Sequence, residues 1–286
     1  ARCPGRARRV RGARRPPAAR PRPGRGPAPG GSSFPQGGPF PLAAHPGPVY
    51  SGPLVNANGD ALRQRLDEVR GRISAAAARS GRPAGSVLLV GVTKTVAAVL
   101  VARAVELGLA DLGENRVQEA QPKILAVGRD RARWHMVGHL QRNKAGRAVD
   151  LFDRVHSVDS LELAEALSRR AVEAGRRLPA LVEVNVSGEP SKFGVGPEYL
   201  ERLLEAIAGL PGLAVDGLMT VGQAVASPAD ARPGFARLRE LRDRAEARLG
   251  LRLPELSMGM SGDFEAAVEE GSTMVRIGTA LFGPRA

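Results

Sequence analysis

From Asp60 onward the chain alternates amphipathic stretches with short apolar runs. Leu62, Leu66, Val69 and Ile73 repeat at spacings of four, three and four, which predicts a helix over Asp60–Arg79 with Asp60 as N-cap. Gly81-Arg-Pro-Ala-Gly85 ends it. Predicted strands follow at Val87–Val92, Leu109–Leu112, Trp134–Val137, Arg154–Val158, Ala180–Val186, Leu213–Met219, Glu255–Met258 and Met274–Ile277. Predicted helices lie between them at Ala97–Leu107, Arg116–Val127, Lys144–Val149, Leu161–Ala174, Glu198–Ala208, Ala231–Leu249 and Phe264–Glu270. Strands alternating with helices indicate a parallel sheet of α/β class. Eight such units point to a TIM (β/α)8 barrel, with an open doubly wound sheet as the competing architecture.

The first 50 residues break this pattern. They hold ten of the arginines, no lysine and no acidic residue, together with 12 of the 23 prolines. A segment of that kind cannot bury enough apolar surface to offset its ordering entropy, so residues 1–54 are expected to be a disordered tail and residues 55–286 the folded barrel. The net charge of +13 is mostly this tail. The remaining 236 residues carry 32 basic and 29 acidic side chains, a difference of +3. The first methionine is Met136, inside patterned sequence. This leads to the expectation that the tail is upstream DNA read in frame, with translation beginning at a non-AUG codon written as Leu54 or Val55. The intact mass of protein from its native host tests that.

Cys3 is the only cysteine, which excludes a disulfide framework, a cysteine-based zinc site and a cysteine nucleophile from the folded part. No run of 18 apolar residues could span a membrane, and the N-terminal segment lacks the apolar stretch of a secretory signal. The expectation is a cytoplasmic protein.

In a TIM barrel the chemistry sits where strands run into the following loops. Those positions hold Lys94, Asn115, His135, His139, the Ser257-Met-Gly-Met-Ser-Gly-Asp263 segment, Arg276, Gly278 and Thr279. Beyond the tail there are four lysines against 28 arginines, so each lysine asks for a reason. Lysine, unlike arginine, can shed its proton and act as a nucleophile, and desolvation at a strand end favours that. Lys94 reads equally well as a Schiff-base lysine or as an ion-paired residue of the mouth. The small residues after the seventh strand, joined by Gly278 and Thr279, could cradle a phosphate with backbone N–H groups; they could equally form an ordinary glycine-rich turn capped by Asp263. Arg276, within a strand, must face the mouth or be paired, for instance with Glu183. His135 and His139 carry weaker signals. No metal-ligand spacing, nucleophile elbow or Walker loop is present. A lysine nucleophile, a phosphate cradle and an inward cation fit a phosphorylated aldehyde. Pyridoxal 5′-phosphate (PLP) is one; the substrate of a deoxyribose-phosphate-type aldolase is another.

Several motifs occur in order: Val90-Gly-Val-Thr-Lys-Thr95, Gly113-Glu-Asn-Arg-Val-Gln-Glu119, Trp134-His-Met-Val-Gly-His-Leu-Gln-Arg-Asn-Lys144, Gly217-Leu-Met-Thr220, Leu256-Ser-Met-Gly-Met-Ser261 and Gly271-Ser-Thr-Met-Val-Arg-Ile-Gly-Thr279. Together, over Asp60 to Gly283, they resemble the pyridoxal phosphate homeostasis proteins, the YggS-like or PROSC-like family. The resemblance implies a single barrel of PLP fold type III, like the N-terminal domain of alanine racemase. It implies that Lys94 carries PLP as an aldimine, that Asn115 and His135 lie at the cofactor, and that Arg276 faces the pyridine nitrogen. It places Ser257, Ser261, Gly278 and Thr279 around the phosphate. The implied role is binding and supplying PLP, with PLP-dependent apoenzymes as partners and a monomeric state. Two positions depart from the family: Val96-Ala97 stands where a proline is common, and Phe193 replaces a smaller or polar residue.

The alternative is an amino-acid racemase. An arginine at the pyridine nitrogen argues against it, because it does not protonate the ring and leaves it a poorer electron sink. A racemase also needs a second base on the opposite face, which related enzymes draw from a further domain, and none is expected after the last strand. Nucleic-acid binding through the tail arginines is a third reading. Phe34, Phe40 and Tyr50 are the only aromatic residues there, too few for a stacking platform, so no specific nucleic-acid partner is expected.

Overall fold

The computed structural model describes residues 53–222 and 227–284. Among them the chain forms α1 (Pro53–Arg79), β1 (Leu88–Val92), α2 (Ala98–Glu106), β2 (Asp111–Glu114), α3 (Val117–Val127), β3 (Arg133–Met136), α4 (Ala145–Leu151), β4 (Arg154–Val158), α5 (Leu161–Glu173), β5 (Leu178–Glu183), α6 (Leu200–Ala208), β6 (Leu213–Met219), α7 (Arg232–Leu249), β7 (Glu255–Ser257), α8 (Phe264–Glu269), β8 (Met274–Ile277) and α9 (Thr279–Phe282). The strands pair in parallel, each with the next, and β1 closes on β8. The sheet is a closed (β/α)8 barrel, not the open doubly wound alternative. Residues 1–52 of the expected tail lie outside the described residues.

The first helix begins at Pro53, not at Asp60. Asp60 is an exposed residue of its interior, so it is no N-cap. The apolar repeat that marks the helix starts only at Leu62, which is why the sequence gives no sign of the earlier turns. Leu62, Leu66, Val69, Ile73, Ala76 and Ala77 are buried on one stripe. Fully burying a side chain such as Leu or Ile is worth about 1.5–3 kcal/mol, enough to dock this helix firmly. It packs against α8 and α9, beside the seam where β8 meets β1. Arg72 and Glu265 bridge α1 to α8 at 2.8 Å, and Arg79 and Glu269 at 2.6 Å.

The outer strand faces and the helices share one large apolar core containing Trp134, Phe152, Phe235 and Phe264. The lumen is different. Leu88, Leu181, Met219 and Met274 form a small separate apolar cluster. Around it lie buried polar side chains: Asp111, His135, His156, Glu183, Ser257 and Arg276. On the N-terminal side Arg133 pairs with Asp111 at 2.6 Å and Arg154 with Asp216 at 2.9 Å. Among the described residues no helix is long and apolar enough to cross a membrane.

Candidate functional site

At the C-terminal ends of the strands lies a cavity of about 290 Å³. Lys94 and Asn115 line it after β1 and β2, Ser261 and Gly262 after β7, and Gly278 and Thr279 after β8. Arg276, Val92 and Val137 form its inner wall, with Val221 and Met260 at its rim. Because β8 pairs with β1, loops far apart in sequence become neighbours here.

Lys94 follows β1 directly. The next residue, Thr95, has φ 63°, a left-handed conformation that β-branched residues rarely adopt. Its hydroxyl donates to the Lys94 carbonyl at 2.6 Å. Beneath this turn, Lys123 of α3 donates to the Thr93 carbonyl at 2.6 Å and pairs with buried Glu114. The Thr93 hydroxyl donates to the same Glu114 oxygen. The end of β1 is thus held by a buried ion pair.

Asn115 carries a buried side-chain oxygen with no hydrogen-bond partner among the described residues, which leaves it ready to accept from a bound molecule. Behind it, Gly138 has no room for a side chain: a Cβ there would lie 2.5 Å from the Asn115 carbonyl oxygen. The Ser261 hydroxyl accepts from the Ala280 N–H at 3.2 Å, tying the loop after β7 to the loop after β8. The Asp263 carboxylate accepts from the Met260 N–H at 2.6 Å, so it fastens the loop and does not cap α8.

Arg276 is buried and does not ion-pair with Glu183. Its guanidinium donates to the Ser257 carbonyl and hydroxyl, both at 2.7 Å, and to the Thr220 carbonyl at 2.8 Å. Burial brings its pKa down to about 10, against the opposing charges of Glu183 and Asp263, so it stays cationic at neutral pH. Burial pushes Glu183 up to about 7, with the Asp159 charge adding to the effect and Arg276 opposing it.

Two of the expected site residues are not among those lining this cavity. Neither His135 nor Ser257 lines the cavity. Both are buried in the lumen, where their polar atoms are taken by protein partners: His135 by Asp111 and His156, Ser257 by His156 and Arg276. Lys94, Asn115, Ser261, Arg276, Gly278 and Thr279 do come together. The sequence reading missed His156, Thr220 and the Lys123–Glu114 pair. His156 was legible as the residue two beyond Arg154 in β4, hence on the same face.

Phe193, in the loop after β5, stacks on His139 in the loop after β3, with ring centroids 3.8 Å apart and planes 10° from parallel. His139 Nδ1 lies 3.2 Å from Asp159. Phe193 therefore bridges two loops of the mouth. Beside it a second hollow of about 620 Å³ is lined by Asn115, Arg116, His139, Lys144 and Phe193.

Comparison with known proteins gives a consistent result. Residues 64–286 match the family model for the alanine racemase N-terminal domain. A pyridoxal phosphate homeostasis protein of Aquifex aeolicus is 44% identical over 222 residues, covering 78% of this chain and 97% of that protein. One of Pseudomonas aeruginosa is 44% identical over 224 residues, covering 78% and 96%. Among solved structures, PipY of Synechococcus elongatus with PLP bound superposes with a TM-score of 0.68 at 37% identity, covering 78% of this chain and 100% of that one. Alanine racemase from Corynebacterium glutamicum shares the fold alone, with a TM-score of 0.57 at 18% identity over 81% of this chain and 61% of the enzyme.

Proposed function

Because this chain belongs to the family of pyridoxal phosphate homeostasis proteins, we propose that it binds PLP at the barrel mouth and takes part in holding and supplying that cofactor, with effects on amino-acid and keto-acid balance. The observation that carries the reading is the meeting of Lys94, Asn115, Arg276 and the Ser261–Thr279 cradle around one cavity. PLP, when bound, would supply an aldehyde carbon, and Lys94 is the residue whose amine would meet it.

The donor set fits the group. Lys94 is the lysine that lines the cavity. Ser261, Gly278 and Thr279 offer a hydroxyl and backbone N–H groups suited to a phosphate. Asn115 lines the cavity and has a buried acceptor without a partner among the described residues. Arg276, on the inner wall, would offer a fixed positive charge to the ring nitrogen and keep its own proton, which would favour retention of the cofactor over carbanion chemistry.

The barrel, residues 55–286, is the working unit. It acts as a cytoplasmic monomer and passes PLP to PLP-dependent apoenzymes. It does not turn over amino acids as a racemase does.

The test is the visible spectrum of purified protein after addition of PLP, followed by borohydride reduction and peptide mapping. The expected result is an absorption band trapped on Lys94 and lost in Lys94→Ala. A band unchanged in that variant overturns the assignment of Lys94, and no band at all overturns the cofactor.

A further inference from the structure

Behind Arg276 a line of hydrogen bonds crosses the lumen to the opposite end of the barrel. Arg276 Nη1 donates to Ser257 Oγ at 2.7 Å. Ser257 Oγ lies 2.9 Å from His156 Nδ1, His156 Nε2 lies 2.9 Å from His135 Nδ1, and His135 Nε2 lies 3.0 Å from Asp111 Oδ1. Asp111 is held in turn by Arg133, at 2.7 Å and 2.6 Å. The members come from β2, β3, β4, β7 and β8, and Asp111, His135, His156, Ser257 and Arg276 are all buried. None of the binding roles argued above uses Asp111, His135 or His156.

Counting hydrogens fixes the direction of every bond. An ionised Asp111 only accepts, so His135 donates through Nε2. A neutral imidazole has one N–H, so His135 Nδ1 accepts from His156 Nε2–H. His156 Nδ1 must then accept from the Ser257 hydroxyl, whose oxygen accepts from Arg276. Each group is satisfied once, in one sense, from guanidinium to carboxylate. The reverse arrangement needs a cationic His135. It would leave the Ser257 hydroxyl accepting from both sides, with its own hydrogen buried and unpartnered among the described residues, a costly state. It would also add a positive charge to a lumen that already holds Arg276 and Arg154. Burial holds His156 well below the usual imidazole range, and the charges of Arg276 and Arg154 act in the same sense. Asp111 is kept below the usual carboxylate range by its hydrogen bonds with Arg133 and His135, which outweigh the larger single effect of burial.

We propose that Asp111, His135 and His156 are positioning residues for the cofactor: they form a one-way hydrogen-bond chain that makes Ser257 a committed acceptor and so fixes the orientation in which Arg276 meets the ring. Hydrogen bonds in series polarise one another, so the carboxylate at the far end strengthens the hold on the guanidinium. Glu183 and Asp263 also act on Arg276, through space. The chain acts through contact and therefore responds to substitutions that keep or break its links.

The part concerning the ring rests on the proposed function; the chain itself does not. The full-length protein without cofactor tests the chain, by ¹⁵N–¹H NMR of the imidazoles. The expected result is the hydrogen on Nε2 and none on Nδ1 in both lumen histidines. A His156 protonated at Nδ1, or a cationic His135, overturns the proposal whatever the cofactor does.

The second arm is PLP titration of the full chain. His156→Leu is expected to weaken PLP binding roughly tenfold, because Ser257 loses the acceptor that commits it to Arg276. His156→Gln, which keeps a donor and an acceptor, is expected to recover most of it. Affinity and visible band unchanged in His156→Leu overturn the proposal. Asp111→Asn gives the same test without a change in packing. Its carboxamide oxygen still accepts from His135 but the charge is gone, so affinity is expected to fall a few-fold, and an unchanged affinity overturns the role given to Asp111. A wild-type protein with no PLP band overturns the proposed function instead, and the imidazole tautomers then still decide the chain.

Discussion

Two buried charges set expectations at the scale of the single residue. Lys123 and Glu114 pair beneath the turn that carries Lys94. Removing one partner leaves an uncompensated buried charge, so Lys123→Met is expected to cost about 3–5 kcal/mol in urea unfolding, and Lys123→Met with Glu114→Gln to recover most of it. Glu183 gives a pH dependence. Its carboxyl rises from 4.5 to about 7 in the folded protein. Between those values the native state holds a proton that the unfolded state has lost, so this group's contribution to stability falls as pH rises and the penalty is complete above the folded value. Asp216, pushed up to about 6 by burial despite Arg154, acts in the same sense. Glu183→Gln is expected to add up to about 3 kcal/mol at mildly alkaline pH and little at mildly acidic pH, as read by urea unfolding at both. Residue-scale chemistry was legible where it sits at a strand end. Lys94, Asn115 and Arg276 follow from position in a barrel. His135 and Ser257 were drawn to the cofactor by motif, while their actual partners, Asp111 and His156, depend on lumen geometry that a linear reading does not supply.

Among the elements, β4, β6 and β8 run as the sequence predicts, over Arg154–Val158, Leu213–Met219 and Met274–Ile277. Their apolar runs are bounded by clear breaks. The second strand lies two residues later than expected, at Asp111–Glu114, because Leu109 and Ala110 look like strand but precede it, while Gly113 and Glu114 do not look like strand and belong to it. The single turn of α9 has too few residues for any periodicity. The tightest joint between elements is Gly138 against the backbone of Asn115, where an added Cβ would come within 2.5 Å of the carbonyl oxygen. Gly138→Ala is expected to push the loop after β2 outward, destabilising the fold by about 1–3 kcal/mol. It should also weaken PLP binding about tenfold through the displaced Asn115. Thermal melts and a PLP titration on the same sample read both effects.

At the scale of the whole molecule, the alternating pattern specified a closed barrel, while the arginine-rich segment before it lies outside the described residues. Binding to the folded state alone adds stability by mass action. PLP at about a hundred times its Kd is expected to raise the melting temperature by about 5–10 °C, read by differential scanning fluorimetry, with the rise absent in Lys94→Ala. The seam between β1 and β8 carries a consequence for synthesis. Lys94 leaves the first strand and Arg276 sits in the last, and the two meet only when the sheet closes. A growing chain on the ribosome therefore lacks the assembled cavity until its eighth strand has emerged, and on the proposed reading specific occupancy by PLP is a mark of the closed sheet.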